Sequence, residues 1–254
     1  MADNPLPQSG EPASQVAERR MREWVMAIQQ QRTTRQELDK SKYPEGIHPY
    51  VAISRDAGAD GSSLGERLSK LLGWELLDRA LLDQMAEYYQ TPRNLLEQAD
   101  EKAPNWFEEV FGKWFNPQVV TQSEYIVRLQ RFVWMAARSK SCVFVGRGCH
   151  LLLPSRSGLS IFVTAPYALR VEQTKQSRDC SHDEAVRYVE EGDERRKEFY
   201  AQHFHKELGD MQYLDLAVNL RQMDLDGVAR LVADQIRHRF PNAVAGGAQE
   251  PLRE

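Results

Sequence analysis

YVAISRDAGADGSSLGERLSKLL, residues 50–72, is the stretch of this 254-residue sequence that decides its fold. It opens with a short run of β-prone residues at 50–53 and continues through a loop that contains Gly58 and Gly61. It ends with leucines at helical spacing, Leu64, Leu68, Leu71 and Leu72. Strand, loop and helix in this order are the repeating unit of parallel α/β sheets.

The same alternation of strand and helix continues along the chain. Unbroken apolar runs at 142–145 and 159–163 are typical of strands that are covered on both faces, and residues 74–77 and 213–219 predict two further strands. Helical patterns follow at 79–89, 168–177, 181–204 and 225–238. The sequence therefore predicts an α/β fold, a doubly wound parallel sheet with helices on both faces.

Composition sets the expected boundaries of the domain. Residues 1–14 are polar and rich in proline, and residues 241–254 are similar, so both ends are predicted to be disordered. Residues 15–46 predict an amphipathic helix and a linker, and residues 47–240 the main domain. The helix either packs on the surface of this domain or forms a homodimer contact.

Charge and cysteine content limit the classes of partner and compartment. The net charge of −4 provides no overall basic field, so neither a nucleic acid nor a membrane is the expected partner. The three cysteines form no CxxC pair, which suits a reducing compartment. Because no apolar run approaches the ~20 residues that span a bilayer, we expect a cytoplasmic protein.

The loop after the first predicted strand lies where a phosphate-binding loop lies. Glycines let backbone N–H groups converge on an anion, and the helix N-terminus adds a positive dipole. The residues predicted to bind the phosphates are Arg55, Gly58, Ala59, Asp60, Gly61, Ser62 and Ser63. Ser62 or Ser63 would offer a hydroxyl to Mg²⁺. The pattern GxxxxGK[ST] is incomplete, because Gly61 occupies the position of the lysine, and an ordinary strand-to-helix turn is the alternative.

Short motifs in a fixed order resemble the cytidylate kinase-like family over roughly residues 50–238. They are Ile-Ser-Arg-x-x-Gly-x-x-Gly at 53–61, Leu-Leu-Asp at 76–78, Val-Phe-Val-Gly-Arg-Gly at 143–148 and Ala-Pro-x-x-x-Arg at 165–170. The resemblance implies a P-loop fold of the nucleoside monophosphate kinase type. It also implies a helical acceptor-binding insertion at 79–122 and a lid region at 178–210.

The chain departs from well-characterised cytidylate kinases at two positions. Gly61 stands where they keep a lysine, and Val145 stands where they carry an aspartate before Gly-Arg. Other cations would then have to supply the missing charge. Arg55, in the loop itself, is one candidate, and its alternative is a surface arginine paired with Asp56 or Asp60.

Phosphoryl transfer requires positioning and positive charge, and the planar fork of arginine grips phosphate oxygens. Arg147 follows a buried strand at the edge where open α/β sheets bind ligands, so it is predicted to be catalytic and to clamp the acceptor phosphate. A salt bridge to a neighbouring helix is its alternative role. The resemblance also places Arg170 on the phosphates, and Arg195 or Arg196 of the run Asp193-Glu-Arg-Arg in the lid. Solvated helix charges are the alternative for these three.

Asp78 and Arg79 begin the segment that the resemblance assigns to acceptor binding. Asp78 is predicted either to accept a hydrogen bond from a sugar or base, or to cap the helix that starts at Arg79. The pair His203 and His205 lacks the further ligands of a metal site, so structural or solvated roles are favoured.

The resemblance implies transfer of a phosphoryl group from ATP, with Mg²⁺ on the donor phosphates, to a nucleoside monophosphate. The family name suggests cytidylate, although the residues themselves select no base. The alternative is a nucleotide-binding sensor or partner protein with little or no turnover, which the missing lysine and aspartate favour. Kinase chemistry on another small acceptor is a third possibility.

Overall fold

The computed structural model describes residues 13–33, 46–88, 123–241 and 243. Most of the predicted lead and tail, the linker after the first helix and residues 89–122 of the predicted insertion lie outside these ranges. The aromatic residues between 106 and 115 lie outside them as well.

Five parallel strands form the central sheet, in the order β2-β3-β1-β4-β5. They are β1 (Tyr50–Arg55), β2 (Glu75–Leu77), β3 (Cys142–Val145), β4 (Gly158–Thr164) and β5 (Leu216–Asn219). The strand β1 lies in the middle, with Ile53 opposite both Val145 and Ile161. This arrangement confirms the predicted parallel α/β sheet.

Helices cover both faces of this sheet. They are α1 (Ala13–Thr33), α2 (Gly61–Leu72), α3 (Arg79–Tyr88), α4 (Glu124–Ser139), α5 (Cys149–Leu152), α6 (Tyr167–Arg178), α7 (His182–Phe204) and α8 (Leu225–Arg239). Tyr50 and Ala52 of β1 point into a core formed with α1, α3, α4, α5 and the end of α7. Val51 and Ile53 point into a second core formed with α2 and α8. None of the described helices has the length and apolarity that a bilayer crossing requires.

Local sequence signals explain where several elements begin and end. The Ser181 hydroxyl accepts a hydrogen bond from the Glu184 N–H at 3.3 Å, and the Glu184 carboxylate accepts one from the Ser181 N–H at 2.9 Å. This capping box starts α7 at the beginning of the helical pattern predicted for residues 181–204. The last strand starts later than predicted, because Met211–Tyr213 forms a 3₁₀ turn whose Gln212 N–H donates to the Asp210 carboxylate. The short helix α5 was not predicted.

The helix α1 is anchored to the sheet through Glu75, which is only 4% exposed at the start of β2. The Trp24 Nε1–H donates to Glu75 Oε2 at 3.0 Å, Arg20 pairs with Oε1, and Lys140 Nζ lies 3.4 Å from Oε2. A buried carboxylate needs such partners, since its desolvation would otherwise be costly. The apolar side of α1 is thus buried within its own chain, whereas Met26 on the other side is 65% exposed.

Replacing Trp24 by alanine tests this anchor. Trp24 is fully buried and holds Glu75, so Trp24→Ala should lower the free energy of unfolding by about 3–5 kcal/mol, measured by denaturant titration. Met26→Ala on the exposed side of the same helix is the matched control and should change it by no more than about 0.5 kcal/mol. Equal effects of the two substitutions would contradict the packing described for α1.

Candidate active site

The loop at residues 56–60 joins β1 to α2 and lies against α6. Gly58 has φ +74°, and a Cβ atom there would lie 2.6 Å from the Arg170 carbonyl oxygen and 2.7 Å from Thr174 Oγ1. Only glycine tolerates both that backbone conformation and that approach. Asp60, also left-handed with φ 50°, precedes the first turn of α2. The loop therefore follows a path that presents its backbone at the carboxyl end of the sheet.

Backbone N–H groups of this loop are available to a ligand. The Asp56 N–H donates to the Val163 carbonyl at 3.0 Å, and the Ala57 N–H donates to Asp193 Oδ1 at 2.7 Å. Within the described residues, no acceptor takes the N–H of Gly58, Gly61 or Ser62. Gly61 and Ser62 begin α2, and the first N–H groups of a helix have no carbonyl partner within that helix. Such an N-terminus is suited to an anion.

Arg55, the last residue of β1, lies between two glycines. A Cβ on Gly61 would lie 2.9 Å from Arg55 Cγ, and a Cβ on Gly146, which has φ +89°, would collide with Arg55 Nη1. Burial and then the neighbouring Arg196 guanidinium lower the pKa of Arg55 to about 10, so it stays protonated at neutral pH. Among the described residues it has no carboxylate partner.

The alternative pairing of Arg55 with a loop aspartate is absent. Asp56 Oδ2 accepts a hydrogen bond from Thr164 Oγ1 at 2.6 Å, and Asp60 Oδ1 accepts one from Ser63 Oγ at 2.5 Å. Both carboxylates are therefore oriented by hydroxyl groups, and neither neutralises the guanidinium.

Arg196 of α7 resembles Arg55 in its surroundings. Its Nη1 donates to the Gly192 carbonyl at 2.7 Å, and burial lowers its pKa. No carboxylate in the described ranges forms an ion pair with it. Arg79, at the start of α3, is half-exposed and lies 3.5 Å from Asp83 Oδ2.

Two cavities meet at these arginines. We call them the β3-side cavity, of about 250 Å³, and the loop-side cavity, of about 310 Å³. Gly146, Arg147 and Tyr200 help to line the first, whereas Gly61 and Ser62 help to line the second. Both cavities are lined by Arg55, Arg79 and Arg196. These three residues, the arginine junction, form a positive boundary between the cavities.

Arg147 is held by its neighbours. Its guanidinium pairs with both carboxylate oxygens of Asp83 and lies 4.8 Å from the centroid of the Phe199 ring. The Tyr125 hydroxyl also donates to Asp83, at 2.7 Å. Burial alone would lower the pKa of Arg147, but the hydrogen bonds to Asp83 outweigh it and the pKa is raised. The salt bridge to a neighbouring helix is thus present, and Arg147 still lines the β3-side cavity.

The backbone around Arg147 is unusual. Gly146, Arg147 and Gly148 have φ values of +89°, +56° and +63°. A left-handed conformation at a non-glycine residue costs roughly 1 kcal/mol and persists only where the surroundings enforce it. The ion pair with Asp83 and the ring of Phe199 supply such surroundings.

Arg170 and Arg195 differ from the other predicted arginines. Arg170 is buried and donates to the Ala57 carbonyl at 2.9 Å, the Ala165 carbonyl at 3.1 Å and Asp193 Oδ2 at 2.7 Å. These bonds hold its guanidinium against groups of the protein itself. Arg195 is exposed at the rim of the β3-side cavity and pairs with Glu191 at 3.0 Å on the same helix.

The other predicted residues lie around the same edge of the sheet. Asp78 is exposed and accepts a hydrogen bond from the Leu81 N–H at 2.9 Å, so it caps α3. Ala59, within the loop, is buried in the second core, and Ser62 is exposed in the loop-side cavity. Ser63 lines a groove toward α8. His203 packs on Phe199, and no group of three or more potential metal ligands occurs among the described residues.

Sequence reasoning missed several residues that shape the site. Asp83 holds Arg147, and Phe199 and Tyr200 line the β3-side cavity. Asp193 belongs to the predicted lid motif, but its hydrogen bond to the loop was not predicted. Asp83 lies one helical turn after Arg79, and Phe199 and Tyr200 lie one turn after Arg195 and Arg196. Helical spacing from the predicted arginines was therefore the available signal.

A buried polar cluster lies beside the β3-side cavity, which is lined by two of its members, Ser54 and Tyr200. The Ser54 hydroxyl lies 2.7 Å from the Tyr200 hydroxyl and 3.3 Å from His150 Nδ1. The His150 ring stacks on Tyr200, and burial lowers the pKa of His150 to about 4. The imidazole is therefore neutral at physiological pH.

Comparison with known proteins gives a family match. The model of the cytidylate kinase-like family matches residues 50–222. No curated protein sequence matches the chain significantly.

Solved structures resemble the chain over most of its length. An uncharacterized protein from Eubacterium ventriosum has a TM-score of 0.56 and 17% identity, with 74% of this chain and 98% of that chain covered. At this identity the likeness shows the fold alone. A shikimate kinase from Acinetobacter baumannii in complex with shikimate has a TM-score of 0.39 and 14% identity, covering 76% and 95%. One from Bacteroides thetaiotaomicron has 0.37 and 13%, covering 74% and 96%.

The low pKa of His150 predicts acid sensitivity of the fold. The unfolded chain binds a proton near pH 6.5, whereas folded His150 stays neutral down to about pH 4, so stability falls as the pH drops through this window. The contribution of His150 to the free energy of unfolding is at most about 3 kcal/mol.

Denaturant titrations at pH 7, 5.5 and 4 should show a smaller loss of unfolding free energy for His150→Asn than for the wild type. His182→Gln, at an exposed histidine, is the control and should retain the full loss. Identical pH profiles for His150→Asn and the wild type would refute the assignment.

Proposed function

The chain belongs to the cytidylate kinase-like family, and from this premise we propose that it transfers a phosphoryl group from ATP to a nucleoside monophosphate. Cytidylate is the acceptor that the family name suggests. The observation that carries the proposal is the arginine junction between the two cavities. A cytoplasmic location fits the three cysteines, all of which are unpaired.

The electrostatics of the junction favour a phosphate-bearing ligand. Arg55 and Arg196 are both mostly buried, and Arg196 lies close enough to Arg55 to lower its pKa. Neither arginine forms an ion pair with a carboxylate in the described ranges. Like charges that are partly withdrawn from water destabilise each other. An anion placed between them would offset that cost, and the planar guanidinium suits phosphate oxygens. Positive charge that is preorganised around a transferring phosphoryl group is the main requirement of this chemistry.

We assign the donor phosphates to the loop-side cavity. Free N–H groups of Gly58, Gly61 and Ser62 and the N-terminus of α2 lie on this side. Arg55 reaches the junction from the same strand that begins the loop. In this assignment it supplies the positive charge that a lysine at position 61 would bring.

We assign the acceptor to the β3-side cavity. Arg147 is oriented there by Asp83, and the ring of Phe199 lies beside it. In the reaction, an oxygen of the acceptor phosphate forms a bond to the γ-phosphorus of ATP. The bond from that phosphorus to the bridging oxygen breaks, and ADP leaves with the electron pair. The arginine junction stabilises the charge on the transferred group.

The loop-side cavity also suits Mg²⁺, which prefers oxygen ligands. The Ser62 hydroxyl and the Asp56 and Asp60 carboxylates line this cavity. Ser63 Oγ is already bonded to Asp60, so Ser62 is the better candidate of the two serines. When bound, the ion would neutralise charge on the donor phosphates.

A nucleotide-binding protein with little or no turnover is the second candidate. Gly61 in place of lysine and Val145 in place of aspartate favour it, because both replaced groups are charged. The two candidates differ in whether an acceptor stimulates ADP release.

An acceptor panel separates these candidates. Release of ADP from Mg-ATP should be stimulated by at least one nucleoside monophosphate, measured with a coupled assay against cytidylate, uridylate, adenylate, guanylate and shikimate. Stimulation by none of them, with calorimetric binding of nucleotide intact, would favour the sensor. Stimulation by shikimate alone would redirect the acceptor assignment.

The junction itself is tested by substitution. Arg55→Ala and Arg196→Ala should each lower kcat/KM on the order of 100-fold, because each removes a positive charge, not paired with a carboxylate, that lies beside the transferred phosphoryl group. Arg187→Ala, at an exposed position of the same helix α7, is the control and should leave it unchanged. A wild-type value in either junction variant would remove that arginine from the mechanism.

A further inference from the structure

One ion pair holds both peptide groups of Ala57 in the β1–α2 loop. Asp193 Oδ1 accepts a hydrogen bond from the Ala57 N–H at 2.7 Å. Asp193 Oδ2 lies 2.7 Å from Arg170 Nη1, and the same nitrogen donates to the Ala57 carbonyl at 2.9 Å. The residue before Gly58 is thus held by α6 and α7 rather than by its own strand.

Close packing supports the same contact. A Cβ on Gly192, next to Asp193, would lie 2.7 Å from Ala57 Cβ. On the other side, Gly58 lies directly on the carbonyl of Arg170. The helices α6 and α7 are joined by buried apolar residues, Val171, Ala185 and Val189. The support under the loop is therefore a packed unit with a defined position.

We propose that Asp193 and Arg170 are positioning residues that orient the loop so that its free N–H groups converge on the donor phosphates. Neither side chain contacts the phosphates in this role. The inference rests on the proposed function, because it concerns the donor site of that reaction. It also gives Arg170 a role different from the direct phosphate contact expected from the sequence.

The chemistry of the pair explains why both members are needed. Arg170 is buried, and Asp193 is mostly so. Removal of one partner leaves the other charge without compensation in a poorly solvated place. Asp193→Asn keeps an oxygen that can accept from the Ala57 N–H, but it cancels the charge that faces Arg170. The loop would lose its fixed orientation while α7 keeps its shape.

Calorimetric titration tests the proposal. The ligands are the magnesium complex of the non-hydrolysable β,γ-imido analogue of ATP and, separately, the best acceptor monophosphate. Asp193→Asn should weaken the ATP analogue about tenfold or more, since small misplacements of binding groups have effects of this order. Binding of the acceptor should stay within about twofold. Glu194→Gln, at the next and exposed position of α7, should bind both ligands like the wild type.

Gly192→Ala provides a second variant that does not depend on the ion pair. Alanine favours a helix over glycine, so the thermal midpoint should not fall through α7 itself. The new Cβ would lie 2.7 Å from Ala57 Cβ and 2.9 Å from Arg196 Nη1. The end of the flexible Arg196 side chain can move aside, whereas Ala57 would be displaced, so the ATP analogue should again bind about tenfold more weakly. A general loss of folding would instead lower the midpoint and weaken both ligands alike.

The outcomes separate the inference from the proposed function. If the wild type binds the analogue and both variants bind it equally well, the positioning role is wrong and the proposed function stands. Equal weakening of both ligands also overturns the positioning role. If the wild type binds no ATP analogue, the proposed function fails, and the inference fails with it.

Discussion

The contact on which the site depends is the packing of the Arg55 side chain between Gly61 and Gly146. Parallel strands bring their carboxyl ends to one edge of the sheet, so the loops after β1 and β3 must meet there. Arg55 ends β1, Gly61 opens α2, and Gly146 follows β3. Because neither glycine has a Cβ, the arginine can run between the two loops and place its guanidinium at the boundary of both cavities. The charge of the site is thus a consequence of strand order and of two missing side chains.

The arginines around this boundary fall into different electrostatic states. Arg147 is neutralised by Asp83, and its raised pKa reflects that partner. Burial lowers the pKa of both Arg55 and Arg196, the Arg196 guanidinium lowers that of Arg55 further, and neither arginine forms an ion pair with a carboxylate in the described part of the chain. A neutralised arginine positions a ligand mainly by geometry, whereas an unneutralised pair also attracts it by charge. In a chain of net charge −4, this local concentration of positive charge is a feature of the site and not of the whole surface.

The fold was largely predictable from sequence, because buried parallel strands appear as unbroken apolar runs and helices as periodic leucines. The site was predictable only in part. The loop and its glycines could be located from the strand that precedes them, but the partners of each arginine could not. Asp83, Tyr125 and Asp193 are far from Arg147 and Arg170 in sequence, and no local pattern relates them. Arg170 illustrates the difficulty, since a helical arginine after Ala-Pro gives no sign that it is buried and turned toward the loop.

The helix α7 connects these features mechanically. Its last turns are anchored in the core by Tyr200 and Phe204, and its middle contacts the loop through Gly192 and Asp193. Arg196 lies between these two anchors, one turn after Gly192. A shift of α7 would therefore move Arg196 and the support of Ala57 together. Since one rigid element carries both, the position of Arg196 and the position of the loop are set by the same helix. A substitution that removes only the contact with the loop leaves that helix, and with it Arg196, in place.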